Sequence, residues 1–433
     1  MKTIAKILAV IAAAACMAVV GIGCGPKGYV DKSNAVELGA FDRPDYAREM
    51  EEQHDREGRE HIEIPDGAET ITIDGEEYMP ISDLREVHDK TKNYIMKCDI
   101  DISKASNIGY WESPFRGKFH GNNYKIKGDS NTAVFGKIVD ATISNVIISS
   151  EFSHAGFSIK IDHSAGILVD RAEGSVIKDC VNYASPRLYF ASDISLNQSS
   201  QIGGFIYEAF DGTVVENCVN YADMTSFSGL VGRVRNEFTV RNCKNYGNIS
   251  SIGTCGGIVN ECVDGYIDIL IQGTPRYYTN GIIENCENHG IIIGDYNVGG
   301  ILCLVRNYAD IADTQNDFAN NYDGMLPMSD NLQNVSVSVV GCGNYGDIYR
   351  NKKDSYSMHA CGGISGAGGD IKNCFNGGTI YGLEKLPPEY ECRYVGGIAG
   401  TACSVTDCES TIEMHISPKV SCYDKICGYI IKR

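Results

Sequence analysis

Acid–base work on a polymer needs two carboxylates, or a carboxylate and an imidazole, held toward one another. Three places in this chain offer such groups. Asp99 and Asp101 are two residues apart, so on a strand both side chains leave the same face. Asp162-His163 sets an imidazole beside a carboxylate, and His289-Gly290 places one at a bend. A plainer reading is preferred in each case. Ile100 and Ile102 fill a core while the aspartates face solvent or cap a turn, Asp162-His163 is a solvated dipeptide, and His289 stands where other copies of a repeat carry tyrosine. Metal chemistry finds less support. There is no Cys-x-x-Cys and no zinc-like Cys/His spacing, and Cys255 and Cys262 are isolated. The stretch Asp313–Asp323 is rich in oxygen ligands for Ca²⁺ but lacks the EF-hand order. There is no Ser-His-Asp elbow, and Gly366-Ala-Gly-Gly reads as a corner rather than a phosphate loop. No catalytic residue, metal or other cofactor is expected.

The elements that would position such groups come from a repeat. A cysteine recurs in nearly one setting at Cys180, Cys218, Cys243, Cys286, Cys342, Cys374 and, degraded, Cys408. An asparagine follows two residues on, at Asn182, Asn220, Asn245, Asn288, Asn344 and Asn376, and often an aromatic after it, at Tyr183, Tyr221, Tyr246 and Tyr345. Upstream lies a glycine and an apolar pair, 14 residues before the cysteine in three copies: Gly166, Gly204 and Gly229. The spacing widens to 29 and 42 for Gly257 and Gly300, then contracts to 11 for Gly363 and Gly397. Whole-loop insertions into a kept register are what a solenoid tolerates, so two loops are expected, near 263–281 and 305–335.

Within one copy, such as Ile282–Ile293, the apolar residues and Cys286 face inward, Asn288 sits at a bend, and Gly290 supplies a permissive corner. Stacked asparagines would form an amide ladder, and the tyrosines a column able to bind sugar rings if exposed. Equivalent cysteines on adjacent coils would lie about 4.8 Å apart with parallel side chains, which fits a disulfide poorly. The seven are read as small buried hydrophobes.

Before the regular repeats come Asn93-Tyr-Ile-Met-Lys-Cys-Asp-Ile-Asp-Ile, Phe115-Arg-Gly-Lys-Phe-His-Gly-Asn-Asn-Tyr-Lys-Ile, Ala133-Val-Phe-Gly and Ala141-Thr-Ile-Ser-Asn-Val-Ile-Ile; Gly229-Leu-Val-Gly follows later. This succession resembles bacterial surface proteins with GLUG-type repeats. The resemblance covers residues 93–433 and implies a right-handed single-stranded parallel β-helix, an all-β solenoid. It implies almost nothing about activity.

At the N-terminus, Lys2 and Lys6 precede an apolar run from Ile7 to Val20 and then Gly-Ile-Gly-Cys ending at Cys24. The segment resembles the lipobox of bacterial lipoproteins, although Gly21 replaces the usual leucine and Cys16 is a weaker alternative. It implies a signal peptide over 1–23, lipidation at Cys24, export, and a lipid anchor in the bacterial envelope outside the cytoplasm. Residues 24–65 are charge-dense and partly helical with few apolar positions, and so read as a polar tether. Residues 66–92 read as a cap: a hairpin around Asp74-Gly75 and a short helix over Ser82–Lys90. The formal charge of −18 excludes nucleic acid as a partner. The expected function is non-catalytic binding or adhesion, presenting the solenoid face to a glycan or a host or cell-surface protein. The alternatives are a polysaccharide lyase or glycoside hydrolase, and a structural envelope spacer.

Overall fold

A computed structural model describes residues 40–105, 107–130, 132–153, 166–185, 203–225, 228–251, 253–264, 279–294, 297–307, 335–350, 360–381, 394–411 and 422–431. They form a right-handed parallel β-helix. A typical coil runs Val231–Arg235, Glu237–Arg241, Lys244–Asn245, Ile249–Ser250 and Cys255–Gly256, then starts again at Val259–Asp264. Successive coils pair in parallel, so each segment builds a sheet along the stack. The first sheet has nine strands, from Phe135–Val139 to Cys427–Ile430. The second has twelve, from Ile71–Ile73 to Ser404–Thr406, and the third ten, from Ile100–Asp101 to Glu409–Ser410. Two five-stranded sheets join the later coils.

The corner between the second and third sheets turns on a single left-handed residue just before the repeat cysteine. Asp179, Asn217, Asn242, Asn285, Gly341, Asn373 and Asp407 all have φ between 52° and 63°. An ordinary side chain in this left-handed region meets its own backbone at a cost of about 1–2 kcal/mol, which Asn, Asp and Gly largely escape. The position before each repeat cysteine is therefore restricted to those three types. Gly290, read from sequence as a permissive corner, is needed for another reason. Its φ is not left-handed; a Cβ there would sit 1.8 Å from the Gly247 carbonyl oxygen of the coil below, and Gly346 and Gly378 are crowded in the same way by the next glycine down. The requirement is close approach between coils.

Just past that corner the repeat residues stack. Asn182, Asn220, Asn245, Asn288, Asn344 and Asn376 are fully buried, and each Nδ2 up to Asn344 donates to the next Oδ1 at 2.7–2.8 Å. Asn376 ends the ladder on the Gly397 carbonyl at 2.7 Å. Each amide also donates to the carbonyl two residues ahead, as Asn245 does to Gly247 at 2.8 Å. The cysteines before them are free thiols. All seven donate to the carbonyl two residues back, for instance Cys286 to Glu284 at 3.3 Å. Six are buried and Cys408, in the last copy, is half-buried. Burial pushes the Cys286 thiol well above its ordinary range, so it remains protonated and unreactive.

Two expectations change. The cap hairpin stands, with Ile71–Ile73 antiparallel to Glu76–Ile81 around Asp74 and Gly75 at φ 51° and 85°. The helix expected over Ser82–Lys90 is instead one 3₁₀ turn, Leu84–Glu86, capped by Asp83 accepting from the Arg85 N–H. The helix expected in the tether is present as α1, Tyr46–Glu57, but it does not stand away from the solenoid. Residues 40–62 run back along its flank. Phe41 packs 4.7 Å from Tyr349, Arg43 reaches Asp223 at 2.7 Å, Glu51 reaches Lys125 at 3.0 Å, and Asn122 accepts from the Ile62 N–H at 2.6 Å. Apolar content was a poor guide here because polar partners on the sheet, not oil, receive this strap. The expected excursions near 263–281 and 305–335 correspond to 265–278 and 308–334, which lie outside the described residues. So do residues 1–39 with Cys16 and Cys24, Asp162-His163, and Asp313–Asp323. The strand ends flanking the two excursions are register neighbours: Asp264 pairs with Asn307, and Thr279 with Val335.

Substitutions at two positions separate these constraints. Asn242→Ala should lower stability by about 1–2 kcal/mol while Asn242→Gly leaves it nearly unchanged, because only the first strains a left-handed backbone. Asn245→Ala should cost about 2–4 kcal/mol, since it strands buried amide groups on both neighbouring coils. Urea denaturation followed by circular dichroism reads both; equal losses for Asn242→Ala and Asn242→Gly would refute the corner argument.

Candidate functional site

The expected tyrosine column exists and takes in a histidine and a phenylalanine. Tyr183, Tyr221, Tyr246, His289 and Tyr345 stack with centroids 4.7–5.3 Å apart and planes within 14°, and a tilted Phe375 follows at 5.8 Å. His289 thus fills a tyrosine rung, and its Nε2 contacts Glu287 at 2.9 Å, which also pairs with Lys244 at 3.0 Å. This geometry alters what the column can do. Each inner ring spends both faces on its neighbours, so only edges and hydroxyls point outward. A sugar ring stacks on a face, and the open rungs do not present one. The strap covers the N-terminal rungs. The Tyr183 hydroxyl lies 2.5 Å from His54 Nδ1, and His54 packs 5.2 Å from Tyr221. Tyr183 is buried, Tyr221 and Tyr246 half-buried, and Tyr345 is 49% exposed. Burial pushes the Tyr183 phenol up to about 12, so it donates to the imidazole.

The carboxylates singled out from sequence serve the backbone. Asp99 accepts from the Lys125 N–H at 2.9 Å, and Asp101 from the Ser103 N–H at 2.9 Å, capping a 3₁₀ turn, while Ile100 and Ile102 are buried. Among the described residues, no group of three or more His, Cys, Asp or Glu is placed to hold a metal ion.

Carboxylates and cations do converge on the outward face of the first sheet. Lys137, Arg171, Glu208, Arg233 and Glu261 are successive register partners. Glu208 lies between Arg171 at 3.4 Å and Arg235 at 3.1 Å, and Glu261 takes Arg233 at 3.0 Å. Both glutamates are nearly fully buried. Burial works against the Arg233 guanidinium, but Glu261 more than compensates and its proton is held more tightly than usual. These charges compensate one another. The exception on this sheet is Asp170, half-buried beside Arg171, whose carboxyl burial pushes up to about 7 while its Oδ1 accepts from the Gly166 N–H at 2.9 Å.

One feature escaped sequence reading. Tyr110 and Ser113 bond each other reciprocally, N–H to carbonyl, at 3.1 Å in both directions, so Trp111-Glu112 forms the tip of a tight hairpin. Tyr110 is 50% and Trp111 52% exposed. The signal was the chain's one tryptophan in a Gly-Tyr-Trp-Glu-Ser-Pro segment, where turn residues flank two large aromatics with no strand or helix period to bury them.

The sequence matches no protein-family model and no curated protein. Among solved structures, it is similar to a crystal structure from Bacteroides ovatus described as a candidate immunoglobulin A1 protease. The identity is 14% and the TM-score 0.36, over 82% of this chain and 85% of that one. A likeness at that level says nothing of what this chain does.

The strap carries a pH dependence. Burial opposes charge on Glu51 and Asp55, but hydrogen bonds from Ser150 and Lys125 to the first, and from Lys125 and Arg59 to the second, outweigh it and hold both carboxyls below their usual range. Burial likewise holds the His54 imidazole low. Groups depressed in the docked state stabilise it above their free values and lose that effect as pH falls. Docking should be intact above about pH 6.5, weaken as His54 is protonated, and fail through the carboxyl range near pH 4. Hydrogen exchange over residues 46–57, corrected for intrinsic rates, should rise in those two steps while Val231–Arg235 stays protected. In His54→Gln the upper step should vanish.

Proposed function

We propose that this chain is a non-catalytic binding module of a bacterial surface, exported and lipid-anchored at Cys24, with a glycan or a surface protein as its ligand. The observation that carries the reading is the state of the first sheet's outward face. Its convergent Arg/Glu cluster is spent on internal ion pairs, whereas the aromatic hairpin at the sheet's N-terminal end remains open. General acid–base catalysis needs groups free to exchange protons with a substrate; recognition needs fixed donors, acceptors and an exposed aromatic anchor. The GLUG-like repeat resemblance and the lipobox-like segment support the surface location.

Asp170 favours a second reading, a polysaccharide-cleaving enzyme, since a carboxyl titrating near neutrality is what a general acid requires. A glycan array run beside a depolymerisation assay on neutral and acidic polysaccharides separates the two. Retention of glycan with no loss of polymer length is the expected result. Chain cleavage that disappears in Asp170→Asn would establish the enzyme instead. Cys24→Ser should move the protein from the membrane fraction to the soluble one; an unchanged distribution would remove the lipid anchor.

A further inference from the structure

We infer that the Tyr110–Trp111 hairpin is the ligand-binding site of this module and that its ligand is a neutral glycan. This rests on the binding reading above and assigns it a place and a chemistry. The hairpin is built to hold one shape. Its flanks are pinned to the first-sheet strand Phe135–Val139, through bridges from Ile108 to Phe135 and from Phe115 to Ile138. Gly109, at φ 81°, lies so close to that strand that a Cβ would meet the Lys137 carbonyl oxygen at 2.4 Å. An anchor fixed before binding loses little entropy when the ligand arrives.

Beneath the tip, the Trp111 ring lies 4.7 Å from Lys137 Nζ and 4.4 Å from the Arg171 guanidinium carbon. Those two residues are register partners on adjacent coils, so they rise side by side from one sheet face and support the indole from below. Trp111 is half-exposed, which leaves aromatic surface open to solvent, whereas the inner rings of the tyrosine column spend their faces on one another. Such a face accepts the C–H side of a pyranose while ordered polar groups around it take the hydroxyls.

Local charge decides the ligand class. Lys137 pairs with Glu173 at 2.9 Å, Arg116 with Asp140 at 3.3 Å, and Arg171 with Glu208 at 3.4 Å. That leaves Lys90, which donates to Ser113 Oγ at 3.1 Å below Tyr110, and Glu112 at the tip. Lys137, Arg116 and Arg171 are each engaged by a carboxylate, Glu208 being shared with Arg235, and Glu112 offsets Lys90, so little charge is left free to recruit a polyanion, and the chain's −18 repels one.

Trp111 is the chain's one tryptophan, so its fluorescence reports this site alone. The probes are chitooligosaccharides, mannan and a β-glucan as neutral glycans, with polygalacturonate as the acidic one, titrated into the full chain. At least one neutral probe should shift the emission to shorter wavelength, with affinity changing less than about twofold between about 0.05 and about 0.5 M salt. Trp111→Ala, with unchanged circular dichroism, should weaken that binding by about tenfold or more, and Trp111→Phe by less. Binding that leaves the emission unmoved, or survives in Trp111→Ala, would place the site elsewhere and leave the module reading intact. Binding confined to polygalacturonate and abolished by salt would overturn the ligand class. No binding to any array glycan or protein partner would fail the module reading itself.

Discussion

Every residue in a parallel β-helix sits on its own equivalent in the next coil, one strand spacing away. That constraint selects side chains that are complementary to themselves. A primary amide qualifies because it carries a donor and an acceptor, so Asn182 through Asn376 can bond head to tail without a break. A flat ring qualifies because it stacks, a thiol because it packs as a hydrophobe and still finds a carbonyl, and glycine because it lets carbonyls approach. A charge does not qualify, since like charges directly opposed repel. The charged column of the first sheet accordingly alternates from Arg171 onward, as Glu208, Arg233 and Glu261. Its one like-charged step, Lys137 to Arg171, is where Trp111 lies over both cations.

The same constraint explains what the strap does. Coils stacked only on their neighbours can open at either end, because each interface is local. Residues 40–62 contact coils from Tyr349 back to Asn122 and so link interfaces that otherwise share nothing. The link is polar and protonation-sensitive. The Glu51 carboxylate accepts from the Ser150 backbone at 2.9 Å and meets Lys125, and so is buried without being abandoned. The strap is therefore a clamp whose grip depends on pH, while the ladder beneath it has no titrating member.

Self-complementarity is also why part of the structure was legible in sequence and part was not. Identical residues on identical rungs leave a period, and the cysteine, asparagine and tyrosine columns could be written down from it. The left-handed corner left its mark too, in the Asp, Asn or Gly before each cysteine, although only the backbone angles reveal its meaning. The strap leaves no period. Glu51 meets Ser150 across 99 residues and Arg43 meets Asp223 across 180, with no repeated partner to betray either contact. The column was legible as a column but not as a surface, since spacing alone does not say whether neighbouring rings spend their faces on each other. The backbone groups that Asp99 and Asp101 cap emerge only in three dimensions.

Residues that satisfy themselves by stacking have their donors, acceptors and ring faces engaged before any ligand arrives. The more regular the column, the less it offers. Recognition must then fall on positions without an equivalent above or below: the ends of the stack and the segments inserted between strands. The Tyr110–Ser113 hairpin is such a position, because it precedes the first regular repeat and, among the described residues, no later coil contributes a matching tip to cover Trp111. In this solenoid the repeat builds a rigid support, and the departures from the repeat are where the exposed chemistry lies.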